Sequence, residues 1–303
     1  MEITCIKAVY FSATGNTRRV TEAVAEEIAK RLGTEMEVCD FTLPKARQQV
    51  VEFTQNELAV FGMPVYAGRI PNKMLPVVQT MFRGNDTLAI PLVTFGNRSY
   101  DNALIELRNE LEKNGFHTIA GAALAARHAF SDRLAGERPG EEDFRQLSEF
   151  AQNAAEKVTE LAAQFPGGEG KMTWPKPVAV KGIEPIPAYY TPLGEDGQPA
   201  KFLKAKPKTR ENCTDCKICA KVCPMGSIGY DDPSEVTGIC IKCQACVRSC
   251  PVDAKYFDDP AFLSHVAMLE KNYTRRAEND FFYGISPSES VLQKRRQIVR
   301  TMP

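Results

Sequence analysis

The stretch Tyr10-Phe11-Ser12-Ala13-Thr14-Gly15-Asn16-Thr17-Arg18-Arg19 joins an apolar run to an amphipathic run near the start of the chain. A loop that leaves a strand and opens a helix directs backbone N–H groups and the positive end of the helix dipole at one point, which suits an anion. The loop lacks the GxxxxGK[ST] pattern of nucleoside-triphosphate loops and the GxGxxG pattern of dinucleotide loops. It offers neutral donor groups instead, and these predict a site for a single terminal phosphate: Ser12, Thr14, Gly15, Asn16 and Thr17.

Around this loop, residues 1–165 alternate between short β-like runs and helical patterns. Such alternation predicts an α/β fold, with a parallel sheet covered by helices. The strand candidates are Ile6–Phe11, Met36–Cys39, Leu58–Met63, Leu88–Phe95 and Thr118–Leu124. Apolar residues at helical spacing predict helices over Val20–Leu32 and Leu104–Leu111, and a last amphipathic helix over Glu141–Gln164 closes the unit.

Composition places broad limits on function. The chain has 303 residues, enough for roughly two domains, and its 38 basic residues equal its 38 acidic ones. This balance gives no indication of a nucleic-acid or membrane partner. No apolar run reaches the length of about 20 residues that a bilayer requires, and Glu2 and Lys7 interrupt the N-terminus where a signal peptide is apolar. We therefore expect a cytoplasmic protein.

Eight of the ten cysteines form two copies of one motif, CxxCxxCxxxCP. Three closely spaced thiolates hold three corners of an iron–sulfur cubane, while the fourth cysteine, which precedes proline, ligates the other cluster. This rule predicts two 4Fe-4S clusters, one held by Cys213, Cys216, Cys219 and Cys250 and the other by Cys240, Cys243, Cys246 and Cys223. Two zinc knuckles are the alternative, but zinc does not explain the third cysteine and the Cys-Pro pair in both copies. The segment resembles bacterial two-cluster ferredoxins. Cys5 and Cys39 are interpreted as small buried residues.

The pattern S-x-T-G-N-T after a first strand resembles the phosphate loop of flavodoxins. The resemblance implies a five-strand doubly wound sheet of order 2-1-3-4-5 that holds flavin mononucleotide (FMN) at its carboxyl edge. The alternative is a Ser/Thr-rich turn that only caps a helix. Arg18 and Arg19 depart from the pattern, and they either contact the phosphate or face solvent.

The resemblance also requires two loops beside the flavin ring, after the third and fourth strands. The first is Pro64-Val65-Tyr66-Ala67-Gly68-Arg69-Ile70-Pro71, in which Tyr66 is a candidate for stacking on the ring and Gly68 for close backbone approach. The second is Gly96-Asn97-Arg98-Ser99-Tyr100-Asp101-Asn102, with a second aromatic residue and amide donors. Either tyrosine alone is equally well explained by surface packing. His128, just after the fifth strand, is a candidate proton donor or substrate-binding residue, with a structural role as the alternative.

Between the two motif regions the sequence is rich in proline and glycine, which predicts a linker over residues 166–210. Within it, Ala188–Pro192 and Lys201–Lys204 flank a turn at Gly194–Gly197 and predict a hairpin. The ferredoxin-like domain then covers residues 211–259. Residues 260–303 form a C-terminal extension, in which Asp259-Pro260 predicts the start of a helix with an apolar face at Phe262, Val266 and Leu269. The tail bears Lys294, Arg295, Arg296 and Arg300, which indicate a solvated tail or a docking patch for an acidic partner.

The whole chain resembles the flavodoxin-ferredoxin fusion proteins of anaerobes. Iron–sulfur clusters move single electrons, whereas a flavin passes them on singly or in pairs. The resemblance therefore implies an iron–sulfur flavoprotein that takes electrons from a ferredoxin-like partner and reduces a small acceptor at the flavin, as an FMN-dependent oxidoreductase. A pure electron shuttle between proteins and a redox or oxygen sensor are the alternatives. The lysines at 201, 204, 206 and 208 would be a docking surface of such a shuttle.

Overall fold

The computed structural model describes residues 1–163 and 174–284. Its strands are β1 (Cys5–Tyr10), β2 (Glu35–Asp40), β3 (Val51–Glu52), β4 (Glu57–Pro64), β5 (Phe82–Arg83), β6 (Thr87–Phe95), β7 (Phe116–Thr118), β8 (Ala120–Ala125), β9 (Lys208–Thr209), β10 (Lys255–Tyr256) and β11 (Asp280–Tyr283). Its helices are α1 (Asn16–Leu32), α2 (Leu75–Met81), α3 (Ala103–Lys113), α4 (Glu141–Ala163), α5 (Ile218–Lys221), α6 (Ala245–Arg248) and α7 (Pro260–Asn272), with a 3-10 turn at Pro44–Arg47.

Five parallel strands form the centre of the first half of the chain, in the order β2-β1-β4-β6-β8. Counted among themselves, these strands have the predicted order 2-1-3-4-5, so the flavodoxin-like fold is confirmed. The predicted fifth strand is interrupted at Ile119, and its first part, β7, pairs with the start of β6. The central strands β4 and β6 are buried on both faces, as expected of a parallel sheet between two helical layers.

Helices cover both faces of this sheet. The apolar stripe of α1, which includes Val20, Val24 and Ile28, packs with Phe150 of α4 against one face. The other face carries α2 and α3, and a group of buried phenylalanines lies beneath them: Phe41, Phe53, Phe61, Phe82 and Phe116. Each ring buried in this way stabilises the fold by about 1.5–3 kcal/mol relative to an exposed one. Helices α1, α3 and α4 were predicted from the sequence, whereas α2 was not.

The main sheet has an additional edge strand, β11, that was not predicted from the sequence. β11 pairs antiparallel with β8, so that Asp280–Tyr283 lies beside Ala120–Ala123. A buried ion pair holds the chain that leads to it: Arg138 binds Asp143, which also accepts hydrogen bonds from Asn279 and Arg276. The C-terminal segment thereby covers the open edge of the flavodoxin-like sheet.

The cysteine-rich segment forms a small α+β unit. β9 and β10 pair antiparallel at its base, and α5 and α6 each follow the first cysteines of one motif copy. The predicted start of α7 is confirmed, because the Asp259 carboxylate accepts a hydrogen bond from the Phe262 N–H at 2.9 Å and Pro260 is the first helical residue. The first residues of the predicted linker and the basic tail lie outside the described residues.

The predicted hairpin between Ala188 and Lys204 is wrong in its extent. The turn forms, with the Gly194 N–H donating to Gln198 O at 2.8 Å, but only one β-bridge joins the two sides, between Leu193 and Pro199. Proline has no N–H group to donate to a ladder, which limits pairing at Pro192 and Pro199. We call residues 188–204 the covering segment, because several of them line a large cavity at the carboxyl ends of the parallel strands.

Candidate functional site

The main cavity has a volume of about 440 Å³ and lies at the carboxyl ends of the parallel strands. Its size is that of an ordinary cofactor or ligand site. Loops after β1, β4, β6 and β8 supply much of its wall, and the predicted residues among them are Thr14, Asn16, Thr17, Pro64, Val65, Tyr66, Ala67, Gly68, Gly96, Arg98 and His128.

The loop after β1 is shaped for an anion. Gly15 has the left-handed φ of 90° just before α1, and no side chain caps the helix. The backbone N–H groups of Thr14 to Thr17 have no hydrogen-bond acceptor among the described residues, and the first turn of α1 contains no acidic residue. These open N–H groups and the helix dipole fit a phosphate.

The side chains of this loop are partly engaged with their surroundings. The Ser12 hydroxyl accepts a hydrogen bond from the Arg18 N–H at 3.0 Å, so it braces the loop from behind. Thr17 and Thr94 share a hydroxyl–hydroxyl hydrogen bond of 2.7 Å, and Asn16 donates to the carbonyl of Arg127. Ser12 and Gly15 therefore shape the loop without lining the cavity, whereas Thr14, Asn16 and Thr17 do line it.

The loop after β4 turns sharply into the cavity. The Tyr66 N–H donates to Arg69 O at 2.8 Å, while Ala67 and Gly68 adopt φ values of 49° and 78°. A Cβ on Gly68 would lie 2.3 Å from Asp101 Oδ2, so this position requires glycine. Burial, followed by charge on Cys243 and Cys240, raises the pKa of Tyr66.

Four residues of the second predicted loop do not line the cavity: Asn97, Tyr100, Asp101 and Asn102. Asn97 holds the segment after α7, because its side-chain amide donates to the carbonyls of Tyr273 and Arg275, both at 2.7 Å. Tyr100 packs on Phe95 and donates to Asp280 at 2.6 Å. Asp101 forms an ion pair with Arg98 and thereby orients a residue that does reach the cavity. Sequence spacing could not anticipate these contacts, because their partners lie more than 170 positions away for Asn97 and Tyr100.

His128 lies on the cavity wall, and its ring packs so closely on the chain that a Cβ at Gly96 would meet His128 Cδ2 at 2.2 Å. The ring Nδ1 accepts a hydrogen bond from the Phe130 N–H at 3.1 Å. Burial, and after it the charges of His265, Arg248 and Arg98, lower the pKa of His128 to about 4. The ring is therefore neutral at neutral pH, so a proton-donating imidazolium is not available there and a hydrogen-bonding role remains.

The cysteines surround two small cavities in the pairing that the motif rule predicts. One, which we call the outer cysteine site, is lined by Cys213, Cys216, Cys219 and Cys250. The other, the inner cysteine site, is lined by Cys223, Cys240, Cys243 and Cys246. In both, the sulfur of the cysteine before proline accepts a backbone N–H four residues on, from Ser227 to Cys223 at 3.4 Å and from Ala254 to Cys250 at 3.1 Å.

The backbone stabilises the thiolate of one of these cysteines, Cys250, whereas burial raises the pKa of four others: Cys219, Cys240, Cys243 and Cys246. Burial raises the pKa of Cys250, but the backbone N–H groups of Val252, Lys255 and Ala254 outweigh it and lower the pKa below its ordinary value. Such N–H groups stabilise a thiolate, and hydrogen bonds to sulfur also tune the potential of a bound cluster. The donor set of four sulfurs around each space fits a 4Fe-4S cluster.

The inner cysteine site and the main cavity share a wall. Ile239, Cys240, Ile241 and Lys242 line both of them. Two arginines fix this arrangement. Arg47 donates to the carbonyl of Pro224 at 2.8 Å, and Arg248 of α6 donates to the carbonyls of His128 at 2.9 Å and Ala129 at 3.1 Å.

The far wall of the cavity was not predicted from the sequence. It consists of residues from the covering segment and α7, namely Tyr189, Tyr190, Pro192, Phe202, Leu203, His265 and Leu269. The guanidinium groups of Arg69 and Arg98 lie 4.3 and 4.1 Å from the ring centroids of Tyr189 and Tyr190, which fastens the segment over the site. The adjacent tyrosines in a proline-rich stretch were the available signal.

Comparisons with known proteins agree with this architecture. The family model described as flavodoxin matches residues 9–173, more than half of the chain, and a model described as a 4Fe-4S binding domain matches residues 210–226 and 237–253. None of the curated proteins that were compared matches the chain. Within the described parts of the chain, no helix combines the length and apolar character needed to span a bilayer.

Similar solved structures include a flavodoxin from the domain Archaea, with 15% identity, coverage of 52% of this chain and 99% of that chain, and a TM-score of 0.35. The flavodoxin of Streptococcus pneumonia TIGR4 has 21% identity, coverage of 51% and 100%, and a TM-score of 0.36. The rubredoxin oxygen:oxidoreductase of the anaerobe Desulfovibrio gigas has 16% identity, coverage of 52% and 37%, and a TM-score of 0.36. The family models, with the fold and the cysteine motifs, identify the chain as a member of the flavodoxin family, fused to a 4Fe-4S ferredoxin domain, and hence as a flavin and iron–sulfur electron-transfer protein that uses FMN and two 4Fe-4S clusters.

Proposed function

We propose that this chain is an oxidoreductase that receives single electrons from a ferredoxin-like donor at the outer cysteine site and delivers them through the inner cysteine site to the main cavity, where a small acceptor is reduced. In this proposal FMN occupies the main cavity with its phosphate at Thr14 to Thr17. The domain division is part of the proposal: residues 1–165 hold the flavin, 211–259 hold the clusters, 166–210 connect them, and 260–303 extend from them.

The shared wall carries the proposal. The segment from Ile239 to Lys242 faces both the inner cysteine site and the main cavity, so one short stretch of chain separates the two cofactor sites. The outer cysteine site does not share residues with the main cavity. This order favours the outer site as the place of electron entry.

The chain's own residues have defined tasks in this arrangement. The open N–H groups of the β1 loop bind the phosphate, and Tyr66 and the turn at Gly68 border the ring. Arg248 holds α6 against the loop that carries His128, which keeps the inner cysteine site beside the cavity. Bound FMN would accept electrons singly and pass them on singly or in pairs.

The test is an anaerobic titration of the purified protein with reduced ferredoxin, in which cluster and flavin absorbance are followed together. We expect the flavin to bleach as the clusters are reduced, and catalytic turnover to begin when a reducible compound is added. If the flavin stayed oxidised while the clusters filled, the proposed route would be wrong. Bleaching without turnover of any acceptor would favour the electron shuttle.

A further inference from the structure

Two histidines line the main cavity, and their Nδ1 atoms make opposite kinds of hydrogen bond: one accepts and the other donates. His128 comes from the loop after β8, and His265 comes from α7. Both flank the phenyl ring of Phe130, with ring centroids 5.0 Å from it for His128 and 6.4 Å for His265. Among the described residues, neither Nε2 atom has a hydrogen-bond partner.

The hydrogen bonds at Nδ1 fix which ring nitrogen carries the proton in each neutral ring. His128 Nδ1 accepts from the Phe130 N–H, so the proton of the neutral ring lies on Nε2. His265 Nδ1 lies 2.8 Å from the carbonyl of Leu193, which can only accept, so His265 Nδ1 donates and its Nε2 is bare. The cavity wall therefore presents one N–H donor and one nitrogen acceptor.

Aromatic and apolar side chains pack around this pair, with the charge of Arg98 nearby. Phe202 of the covering segment stacks on His265, with ring centroids 5.5 Å apart and an interplanar angle of 29°. Leu269 and Pro192 complete the wall. His265 is only 5% exposed as a whole residue, but its Nε2 is not among the fully buried atoms, so a compound in the cavity can reach it. Leu203, which also lines the cavity, is 91% exposed and marks an opening to solvent.

We propose that His128 and His265 form the binding subsite for the acceptor, and that the acceptor is a flat, uncharged ring compound with a carbonyl next to an N–H group. His128 Nε2–H donates to the carbonyl, and His265 Nε2 accepts from the adjacent N–H. The rings of Phe130 and Phe202 border the compound. This proposal rests on the proposed function, because it assigns the acceptor of the same cavity.

The pair belongs to the acceptor more readily than to the cofactor. The predicted flavin-binding residues lie on the loops after β1, β4 and β6, whereas His265 and Phe202 lie on the wall that those loops do not build. That wall also includes the solvent opening at Leu203, through which an exchangeable compound can enter.

The test uses the fully loaded, oxidised protein and two matched probes, isatin and N-methylisatin, whose affinities are measured by titration calorimetry. The two compounds are both flat cyclic diketones, but only isatin has the N–H that His265 accepts. We expect isatin to bind about tenfold more tightly, the effect of one neutral hydrogen bond in a buried site. His265→Phe should weaken isatin alone and remove the preference, and His128→Phe should weaken both probes about tenfold.

The third histidine of the chain supplies the control. His117 bonds to Asp86 and stacks on Trp174, and it does not line the main cavity, so His117→Phe should leave both affinities unchanged. Equal affinity of the two probes for the native protein would overturn the proposal without any variant. A shifted flavin spectrum or lowered FMN content in His265→Phe, with the probe preference intact, would also overturn it by assigning the pair to the cofactor. This binding test contains no reductant, so its result does not depend on electron delivery. Electron delivery is tested separately by the anaerobic titration with reduced ferredoxin.

Discussion

The two cysteine sites arise from the same motif but lie in different surroundings. Cys216 of the outer site is exposed, whereas Cys243, at the equivalent position of the inner site, is 8% exposed. The residues that precede these two cysteines differ in exposure in the same way: Asp215 is exposed, whereas Lys242 is buried. Motif spacing supplies the ligands in both copies, whereas packing against the flavodoxin domain makes one of them internal.

The helices that follow the central cysteines show how this asymmetry is built. Lys221 of α5 and Arg248 of α6 occupy equivalent motif positions. Lys221 is exposed, while Arg248 donates to two carbonyls of the loop after β8 and pairs with Asp132. The change from Lys221 in one copy to Arg248 in the other therefore supplies the contacts that hold the inner cysteine site beside the main cavity.

Loss of one inner ligand is expected to have the largest effect. Cys243→Ala should abolish the reduction of flavin by reduced ferredoxin, because the site beside the cavity loses its cluster. Cys216→Ala should leave a small residual rate, since its inner site stays intact. Anaerobic stopped-flow absorbance measures both rates, with iron, sulfide and FMN content as controls. Flavin reduction at the native rate in Cys243→Ala would contradict the proposed order.

The arginine anchor gives the next largest effect. Arg248→Ala leaves the carbonyls of His128 and Ala129 without their donor and should destabilise the docked state by about 2–4 kcal/mol. Lys221→Ala, the matched substitution in the outer copy, should stay within about 0.5 kcal/mol of the native protein. Hydrogen exchange across residues 126–132, compared with the centre of the sheet, measures this local opening. Equal exchange in the two variants would mean that Arg248 does not anchor the domains.

The features that were predicted well from the sequence are those that depend on residues close together in the chain. The five parallel strands, the loop before α1 and the cysteine motifs each depend on residues that are neighbours in the chain. Strand order followed from the family resemblance. In contrast, β11 has only four residues, and it exists because the buried Arg138–Asp143 pair and Asn97 hold the preceding chain in place.

The candidate site divides in the same way. The loop after β1 and the turn at Gly68 both line the main cavity, since each follows directly from a strand whose carboxyl end borders it. Tyr100 looked like a cavity residue but bonds to Asp280, 180 positions away. His265 was not identified because it reaches the cavity only through the docking of α7, which no spacing rule encodes.

A smaller effect is expected on the cluster potentials. Lys242 is buried beside the inner cysteines and donates to the carbonyl of Cys240 at 3.1 Å. Lys242→Gln removes a positive charge there and should lower the potential of the inner cluster by on the order of tens of millivolts. Asp215→Asn, at the equivalent outer position, should raise the outer potential by less, because exposed charges are screened. Redox titration followed by electron paramagnetic resonance measures both shifts. A larger shift for Asp215→Asn would reverse the assignment of inner and outer sites.

The smallest expected effect is that of pH. It tests how well the wall of the main cavity at His128 is shielded from water. An ordinary histidine titrates near pH 6.5, but burial first, and then neighbouring positive charges including Arg248, lower the pKa of His128 to about 4. A lowered histidine pKa means that the unfolded chain takes up a proton before the folded chain does. The contribution of His128 to stability is therefore constant above about pH 6.5 and is lost progressively as the pH falls from there towards 4. For the same reason protonation of His128 should not reduce the affinity for isatin between about pH 8 and pH 5.5, and burial also lowers the pKa of His265, the acceptor of the pair. Calorimetric titrations across this range would show a flat profile, and a loss of affinity centred near pH 6.5 would contradict it.

In Arg248→Ala the loss of docking admits water to the cavity. The same titration should then acquire a decline at low pH, which links the anchor that makes one cysteine site internal to the protonation state of the cavity wall.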